Sequence, residues 1–176
     1  MSGIIQATNL QVDNIKHSGG TSAMTINSSG FVLPKIPAFR AELSSSQTIN
    51  QSTWTQVHFA TEVLDNAGWY NTSSYRYTPQ EAGWYLFTLN LFQGKGTGNS
   101  TRRIGAIGKN GAHQRVWDAV ITSSDDKLSN GSILLHANGS SDYFEAYSWV
   151  QTSNSSDVLM SDGDYTNFSG FLVTTA

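Results

Sequence analysis

The residues that most often carry catalysis or bind metals are few in this sequence and poorly spaced for either task. The chain has no cysteine and four histidines, which are His17, His58, His113 and His136. No two histidines stand two or four positions apart, the spacing that lets neighbouring side chains of one strand or helix reach a common metal. We therefore predict neither thiolate chemistry nor a histidine metal site.

Carboxylates could serve a glycan hydrolase, which needs a pair of them flanking the bond that it cleaves. The glutamates are Glu42, Glu62, Glu81 and Glu145, and none lies in a suggestive motif. The sequence also lacks a nucleophile elbow and a phosphate-binding loop. We expect no enzymatic activity and no catalytic residue, and glycan hydrolysis is the enzymatic alternative.

Aspartates crowd two stretches that read as loops. Asp125 and Asp126 are adjacent, and Asp162 and Asp164 flank a glycine. Calcium takes about six to eight oxygen ligands from such loops, although the spacing is not that of an EF-hand. These four residues are candidate calcium ligands, and solvated turns are the alternative. No other cofactor is predicted.

Basic side chains surround Asn110-Gly111, a pair that tolerates positive φ at both turn positions and predicts a hairpin. They are Arg102, Arg103, Lys109 and Arg115. We predict that this group faces an anionic ligand such as an acidic surface polysaccharide. A hydrated hairpin is the alternative.

Aromatic residues give a richer pattern. In residues 83–92, Tyr85 and Phe87 fall on one face of a predicted strand, and in residues 143–150 both faces carry apolar bulk. A strand that is apolar on two sides needs a second layer or a partner. The residues predicted to form the core or a subunit interface are Phe39, Tyr85, Phe87, Tyr143, Tyr147, Trp149, Phe168 and Phe171. Sugar stacking on these rings is the alternative.

The composition indicates the kind of secondary structure that carries these residues. Only 13% of residues are charged and the net charge is −3, which argues against a nucleic-acid partner. Serine, threonine, asparagine and glycine abound, and they favour turns and strands over helices. We predict an all-β protein. No apolar run is long enough to span a bilayer, and we expect no secretory signal.

A change in character near Pro34 and Pro37 divides the chain. Residues 1–36 form a short extended or β arm and linker that buries too little apolar surface to fold alone. Residues 37–176 form the main domain. The arm residues predicted to anchor the chain to a partner are Leu10, Val12, Ile15, Met24 and Ile26.

Several motifs in the main domain occur in the order found in one family. Phe59, Asn66, Tyr70 and Tyr77 precede residues 83–87, Gly-Trp-Tyr-Leu-Phe. Residues 109–111 read Lys-Asn-Gly, residues 129–135 read Ser-Asn-Gly-Ser-Ile-Leu-Leu, and residues 168–172 read Phe-Ser-Gly-Phe-Leu. In this respect the chain, over residues 37–174, resembles the C1q-like globular head.

That resemblance implies a ten-strand jelly-roll sandwich, related to tumour-necrosis-factor-like domains, that assembles as a tight homotrimer. It also implies binding rather than catalysis. A cellular, soluble C1q-like recognition module is one form that such a protein takes.

The arm carries a second resemblance. Residues 9–16 and 20–30, with their short alternating runs, resemble the leaders of structural proteins of tailed bacteriophages, especially fibres and head appendages. This implies a virion protein that assembles in the host cytoplasm. The arm would attach to a capsid or tail protein, and the outer loops would contact host polysaccharide. The sequence does not separate a tail fibre tip from a capsid decoration protein.

Overall fold

The structure is a computed structural model that describes residues 11–20, 22–94, 100–120, 127–152, 157–159 and 163–175. Within these ranges the chain forms strands, turns and loops and no helix. The predicted all-β class is therefore confirmed. No helix that could cross a membrane occurs among these residues.

Contacts between residues divide the chain into two compact units, Met1–Ile36 and Pro37–Ala176. Unit 1 contains a three-stranded antiparallel sheet of β1 (Asn14–Lys16), β2 (Ser22–Ile26) and β3 (Val32–Pro34) in that order. Gly20 and Gly30 have φ values of 87° and 81°. Glycine adopts this left-handed conformation without steric cost, so it suits the two turns between the strands.

The apolar side chains of unit 1 are poorly covered, and Phe31 is 66% exposed. Of the predicted anchoring residues, Ile15 is exposed, Val12, Met24 and Ile26 are half-buried, and Leu10 lies outside the described residues. An isolated sheet of three short strands has little core to stabilise it. Its exposed apolar surface is therefore open to a partner.

The remaining strands of the described residues belong to unit 2. They are β4 (Ala38–Glu42), β5 (Gln47–Ile49), β6 (Thr55–Gln56), β7 (Thr61–Asp65), β8 (Tyr70–Asn71), β9 (Arg76–Tyr77), β10 (Ala82–Gly94), β11 (Ser100–Lys109), β12 (Ala112–Val120), β13 (Lys127–Asn138), β14 (Phe144–Thr152), β15 (Asp157–Leu159) and β16 (Asn167–Thr175). Several have only two or three residues, so they do not correspond one to one with the predicted ten strands.

These strands form two antiparallel sheets. The front sheet has the order β13-β10-β16-β4-β7, and β15 pairs with the end of β10 and with β5. The back sheet has the order β12-β11-β14-β9-β8, and β6 also pairs with β14. Strands distant in sequence, such as β4 and β16, are neighbours, as in a jelly roll.

Alternate residues of the two sheets meet in one core. On β10, Tyr85, Phe87, Leu89 and Leu91 are fully buried, which confirms the face that the alternation predicted. The ring of Phe87 stacks on that of Phe144 from the back sheet, with centroids 4.2 Å apart. This aromatic core fixes the positions of both outer faces.

Two buried tyrosines differ in how their hydroxyl groups are satisfied. The Tyr70 hydroxyl donates to the Phe59 carbonyl oxygen at 2.8 Å, whereas the Tyr77 hydroxyl has no hydrogen-bond partner among the described residues. Burial raises the pKa of both phenols well above the ordinary value. A buried polar group without a partner costs folding free energy.

Tyr77→Phe is therefore expected to raise the free energy of unfolding by up to about 1 kcal/mol, because it removes an unsatisfied polar group. Tyr70→Phe, the matched control, is expected to lower it by about 1 kcal/mol, because it removes a hydrogen bond. Urea denaturation of both variants checks the difference. A loss of stability in Tyr77→Phe as large as that in Tyr70→Phe would contradict the prediction.

Candidate assembly and recognition surfaces

The outer face of the front sheet carries a continuous row of apolar side chains. The strand register places Leu86 beside Leu134 on one side and beside Phe171 on the other, and Phe171 beside Ala38. Leu134 and Phe171 are 46% and 45% exposed. These four residues, called the apolar row, therefore cross four neighbouring strands and remain open on one side.

The same face becomes polar farther along the strands. Thr88 lies beside Ser132 and Ser169 in the next row, and Asn90 lies beside Asn130 and Asn167 in the one after it. On β4, Arg40 forms an ion pair of 2.7 Å with Glu42. An apolar strip bordered by polar groups is the composition of a protein interface rather than of a solvated sheet face.

The predicted interface aromatics do not all lie on this face. Phe39, Tyr85, Phe87 and Phe168 are buried in the protomer core, with exposures of 1% or less. Phe171 is the member of the set that lies on the apolar row. These four core residues hold the front and back sheets together. They therefore support the outer face of the front sheet but are not part of it.

The other three aromatics, Tyr143, Tyr147 and Trp149, are half-buried on the outer face of the back sheet. Tyr143 and Tyr147 flank Glu145, which is fully buried. Its carboxylate accepts hydrogen bonds from Arg76 Nε at 3.0 Å, Gln56 Nε2 at 2.9 Å and Tyr147 Oη at 2.7 Å. The charge is thus compensated, as a buried carboxylate requires.

Loop and neighbouring-strand residues cover this part of the back sheet. The Arg76 guanidinium lies over the Tyr143 ring at 4.0 Å, and the His113 ring lies 4.8 Å from that of Tyr147. Trp54 packs on His113 at 4.1 Å. The chain itself therefore supplies much of the cover on this side of the strand, which is the second layer that the apolar bulk predicted as an alternative to a partner. Contact of Tyr143, Tyr147 and Trp149 with another subunit stays a prediction.

Two of these groups titrate away from their ordinary values. The hydrogen bond that Arg76 donates to Glu145 raises the pKa of the guanidinium, so Arg76 keeps its positive charge across the pH range of ordinary experiments. Burial lowers the pKa of His113, and the nearby negative charge of Glu145 offsets part of that effect. His113 is therefore neutral at pH 7 in the folded chain.

The lowered pKa of His113 predicts a stability change with pH. Below its ordinary value of 6.5 the unfolded chain binds a proton that the folded chain does not, so stability falls as the pH drops from 6.5 toward the lower folded value. His113→Gln is expected to flatten this slope. Urea denaturation at pH 7.5, 6.0 and 5.0 measures it, with His17→Gln as the exposed control. An unchanged slope in His113→Gln would contradict the prediction.

The Asn110-Gly111 hairpin is confirmed, with φ values of 54° and 81° that suit a tight hairpin turn. The predicted basic group around it does not assemble as expected. Arg103 is fully buried and donates to the Gln93 carbonyl oxygen at 2.8 Å, so it does not face a ligand. Lys109 Nζ is held by the Asp142 carboxylate at 2.8 Å and by the His136 carbonyl oxygen.

Arg102 and Arg115 are exposed but lie apart along the hairpin. Arg102 pairs with Val120, and Arg115 pairs with Ile107 five residues farther along the ladder. That offset corresponds to about 17 Å of strand. The hairpin thus spreads the charges that the sequence places close together, and no concentrated anion site forms from these four residues.

Most of the candidate calcium ligands are not among the described residues. Asp125, Asp126 and Asp162 lie outside the described residues, and Asp164 is exposed. Among the described residues no group of three histidine, aspartate or glutamate side chains could hold a metal ion. Calcium binding at these aspartates stays a prediction.

Comparison with known proteins identifies the architecture. A family model described as the C1q domain matches residues 38–173. No curated protein matches the chain.

Similar solved structures include the globular domain of zebrafish complement 1qA protein, with 13% identity, a TM-score of 0.63, and coverage of 81% of this chain and 100% of the other. Murine APRIL gives 12% identity, a TM-score of 0.59, and coverage of 79% and 100%. Eiger TNF from S. frugiperda gives 8%, 0.53, and coverage of 80% and 94%. At identities this low, the structural similarity shows a shared jelly-roll fold alone.

Proposed function

Because the chain belongs to the C1q domain family, we propose that it is a non-enzymatic binding protein that assembles through its apolar row as a homotrimer. C1q-like and TNF-like domains are typically non-enzymatic recognition modules that form trimers, which is consistent with this role. The observation that carries the proposal is the alignment of Leu134, Leu86, Phe171 and Ala38 across four strands of one exposed face.

Burial of this row between copies would remove apolar surface from water, the main driving force of protein association. The polar rows of Thr88 and Asn90 would supply hydrogen bonds and fix the register of one copy on the next. Residues of the same face would meet around a common axis. Three identical outer surfaces on one rigid body would then bind a multivalent target with avidity, so each site could be weak.

Sedimentation equilibrium at micromolar concentration tests the assembly. The expected mass is three times the 19.1 kDa of the chain. A chain that stays monomeric over this range would overturn the trimer. A stable dimer would also overturn it, although it would leave the apolar row as the surface that binds another copy.

The biological setting that we propose is a structural protein of a tailed-bacteriophage virion, assembled in the host cytoplasm. Unit 1 would anchor the trimer to a capsid or tail protein, and the outer loops of unit 2 would contact host-surface glycan. The support is the resemblance of residues 9–16 and 20–30 to leaders of such proteins, together with the exposed apolar side chains of unit 1.

Immunogold labelling of purified particles with an antibody to residues 38–176 tests this setting. Label at the tail tip would indicate a fibre or receptor-binding protein, and label across the head would indicate a capsid decoration protein. If the chain were absent from phage particles whose genome encodes it, the virion role would be overturned.

A cellular C1q-like recognition module is the second candidate, and the family match favours it as much as it favours the first. In that setting unit 1 would join the domain to another part of a cell-surface or secreted assembly. Detection of the chain in uninfected cells, with no phage genome present, would support this candidate against the virion role.

A further inference from the structure

A polar groove of about 360 Å³ opens on unit 2, away from the residues of the apolar row. The segment between β4 and β5 forms one wall with Ser44, Ser45 and Ser46, and Thr48 of β5 continues it. None of these four hydroxyl groups forms a side-chain hydrogen bond with another described residue. They are therefore available to a ligand that both donates and accepts hydrogen bonds.

An aromatic pair forms a second wall of the groove. The imidazole of His58 stacks on the ring of Tyr75, with centroids 4.4 Å apart and planes 16° from parallel. His58 is exposed and Tyr75 is half-buried. The pair offers flat apolar faces beside polar edges, an arrangement on which the C–H face of a pyranose ring can rest.

The turn that carries Tyr75 is held in a conformation that tyrosine rarely adopts. Its φ is 59°, in the left-handed region. The Tyr75 N–H donates to the Asn71 carbonyl oxygen at 2.7 Å, and Asn71 Oδ1 accepts from the backbone N–H groups of Ser73 and Ser74 at 2.9 Å. Backbone strain of this kind persists only where the surrounding structure enforces it, and it is concentrated at binding sites.

The side chains of two glutamines connect the segments that line the groove. Gln56 Nε2 donates to the Ser74 carbonyl oxygen and to the buried carboxylate of Glu145, both at 2.9 Å. Gln47 Nε2 donates to the Gln56 carbonyl oxygen, and Gln47 Oε1 accepts from the His58 backbone N–H at 2.8 Å. Both walls are thus tied to one hydrogen-bond network, which lowers the entropy cost of binding.

Among the residues that the structure describes, no aspartate, glutamate, lysine or arginine lines the groove. Four free hydroxyl groups, a stacked aromatic pair and the lack of a charged side chain in this described lining together suit a neutral polyhydroxylated ring. We propose that this groove binds neutral saccharide. The proposal deepens the recognition role proposed above, but it does not depend on the number of copies in the assembly, and it places the sugar away from the basic hairpin.

Isothermal titration calorimetry on the full chain tests the site, with maltotriose, cellotriose, mannotriose and fully N-acetylated chitotriose as neutral probes and trigalacturonate as the anionic probe. At least one neutral probe should bind, and more tightly than trigalacturonate. His58→Ala should weaken that binding about tenfold, because it removes the exposed ring of the stacked pair. Ser45→Trp, which fills the groove from an exposed position, should abolish it.

Trp54→Ala is the matched control, since it removes another exposed aromatic that packs against a histidine outside the groove. Its sugar affinity should equal that of the unmodified chain. Binding by none of the neutral probes, undiminished binding in His58→Ala, or loss of binding in Trp54→Ala would overturn the site. Sedimentation of the same samples keeps the two proposals separate, because a monomer that binds sugar contradicts only the assembly.

Discussion

Replacement of Phe87 by alanine is expected to lower the free energy of unfolding by about 4 kcal/mol, the loss typical of a fully buried phenylalanine. Phe87 is 0% exposed, stacks on Phe144, and has its ring 6.0 Å from Phe168 and 6.3 Å from Phe39. The substitution would open a cavity at the point where the two sheets meet, and the neighbouring rings are too constrained to fill it.

Phe92→Ala is the matched control for that measurement, because Phe92 lies on the same strand but on its outer face and is half-buried. A loss of about 1 kcal/mol is expected there, since less apolar area leaves the protein interior. Urea denaturation compares the variants at one protein concentration, because the proposed assembly would also add to the apparent stability. A loss below about 1.5 kcal/mol for Phe87→Ala would contradict the central position of this ring.

The alternation of β10 could be predicted from sequence because the side-chain period of a strand is two and its inner residues are uniformly large and apolar. The hairpin at Asn110 could be predicted because few residue pairs accept positive φ at two successive positions. Both features depend on neighbours along the chain. Local pattern was therefore sufficient for the core face of Tyr85 and Phe87 and for this turn.

The pattern could not show how the back sheet is covered. Glu145 lies among aromatic residues in the sequence and suggests a solvated charge, but Arg76, 69 positions away, compensates it in a buried site. Arg103 likewise suggests an exposed base, yet it is buried and donates to the main chain of Gln93 on β10 of the opposite sheet. Long-range partners decide whether a charge is buried, and a single strand does not reveal them.

The apolar row was missed for a related reason. Leu86 and Trp84 fall on the outer face of β10 by simple alternation, but their significance depends on what lies beside them. Only the register with β13 and β16 brings Leu134 and Phe171 level with Leu86. The saccharide groove could not be predicted for the same reason, since Ser45, His58 and Tyr75 come from three separate segments.

If the chain assembles as the proposed trimer, Phe171→Glu is expected to convert it to a monomer at micromolar concentration. Phe171 lies in the apolar row beside Leu86 and Ala38, so association would bury three carboxylates, one from each copy, in an apolar contact. An unpaired buried charge costs several kcal/mol, and three of them exceed the favourable free energy of an ordinary protein interface. The protomer should still fold, because residue 171 is 45% exposed within it.

Val116→Glu is the matched control, since Val116 is 44% exposed on β12 of the back sheet and lies off the apolar row. Sedimentation equilibrium should give a trimer for Val116→Glu and a monomer for Phe171→Glu, with the same far-ultraviolet circular dichroism for both. If Phe171→Glu stayed trimeric, the contact between copies would lie elsewhere. If only Val116→Glu dissociated, the back sheet would be the assembly surface. The reason is that an introduced carboxylate costs enough free energy to separate the copies only where it is buried between them.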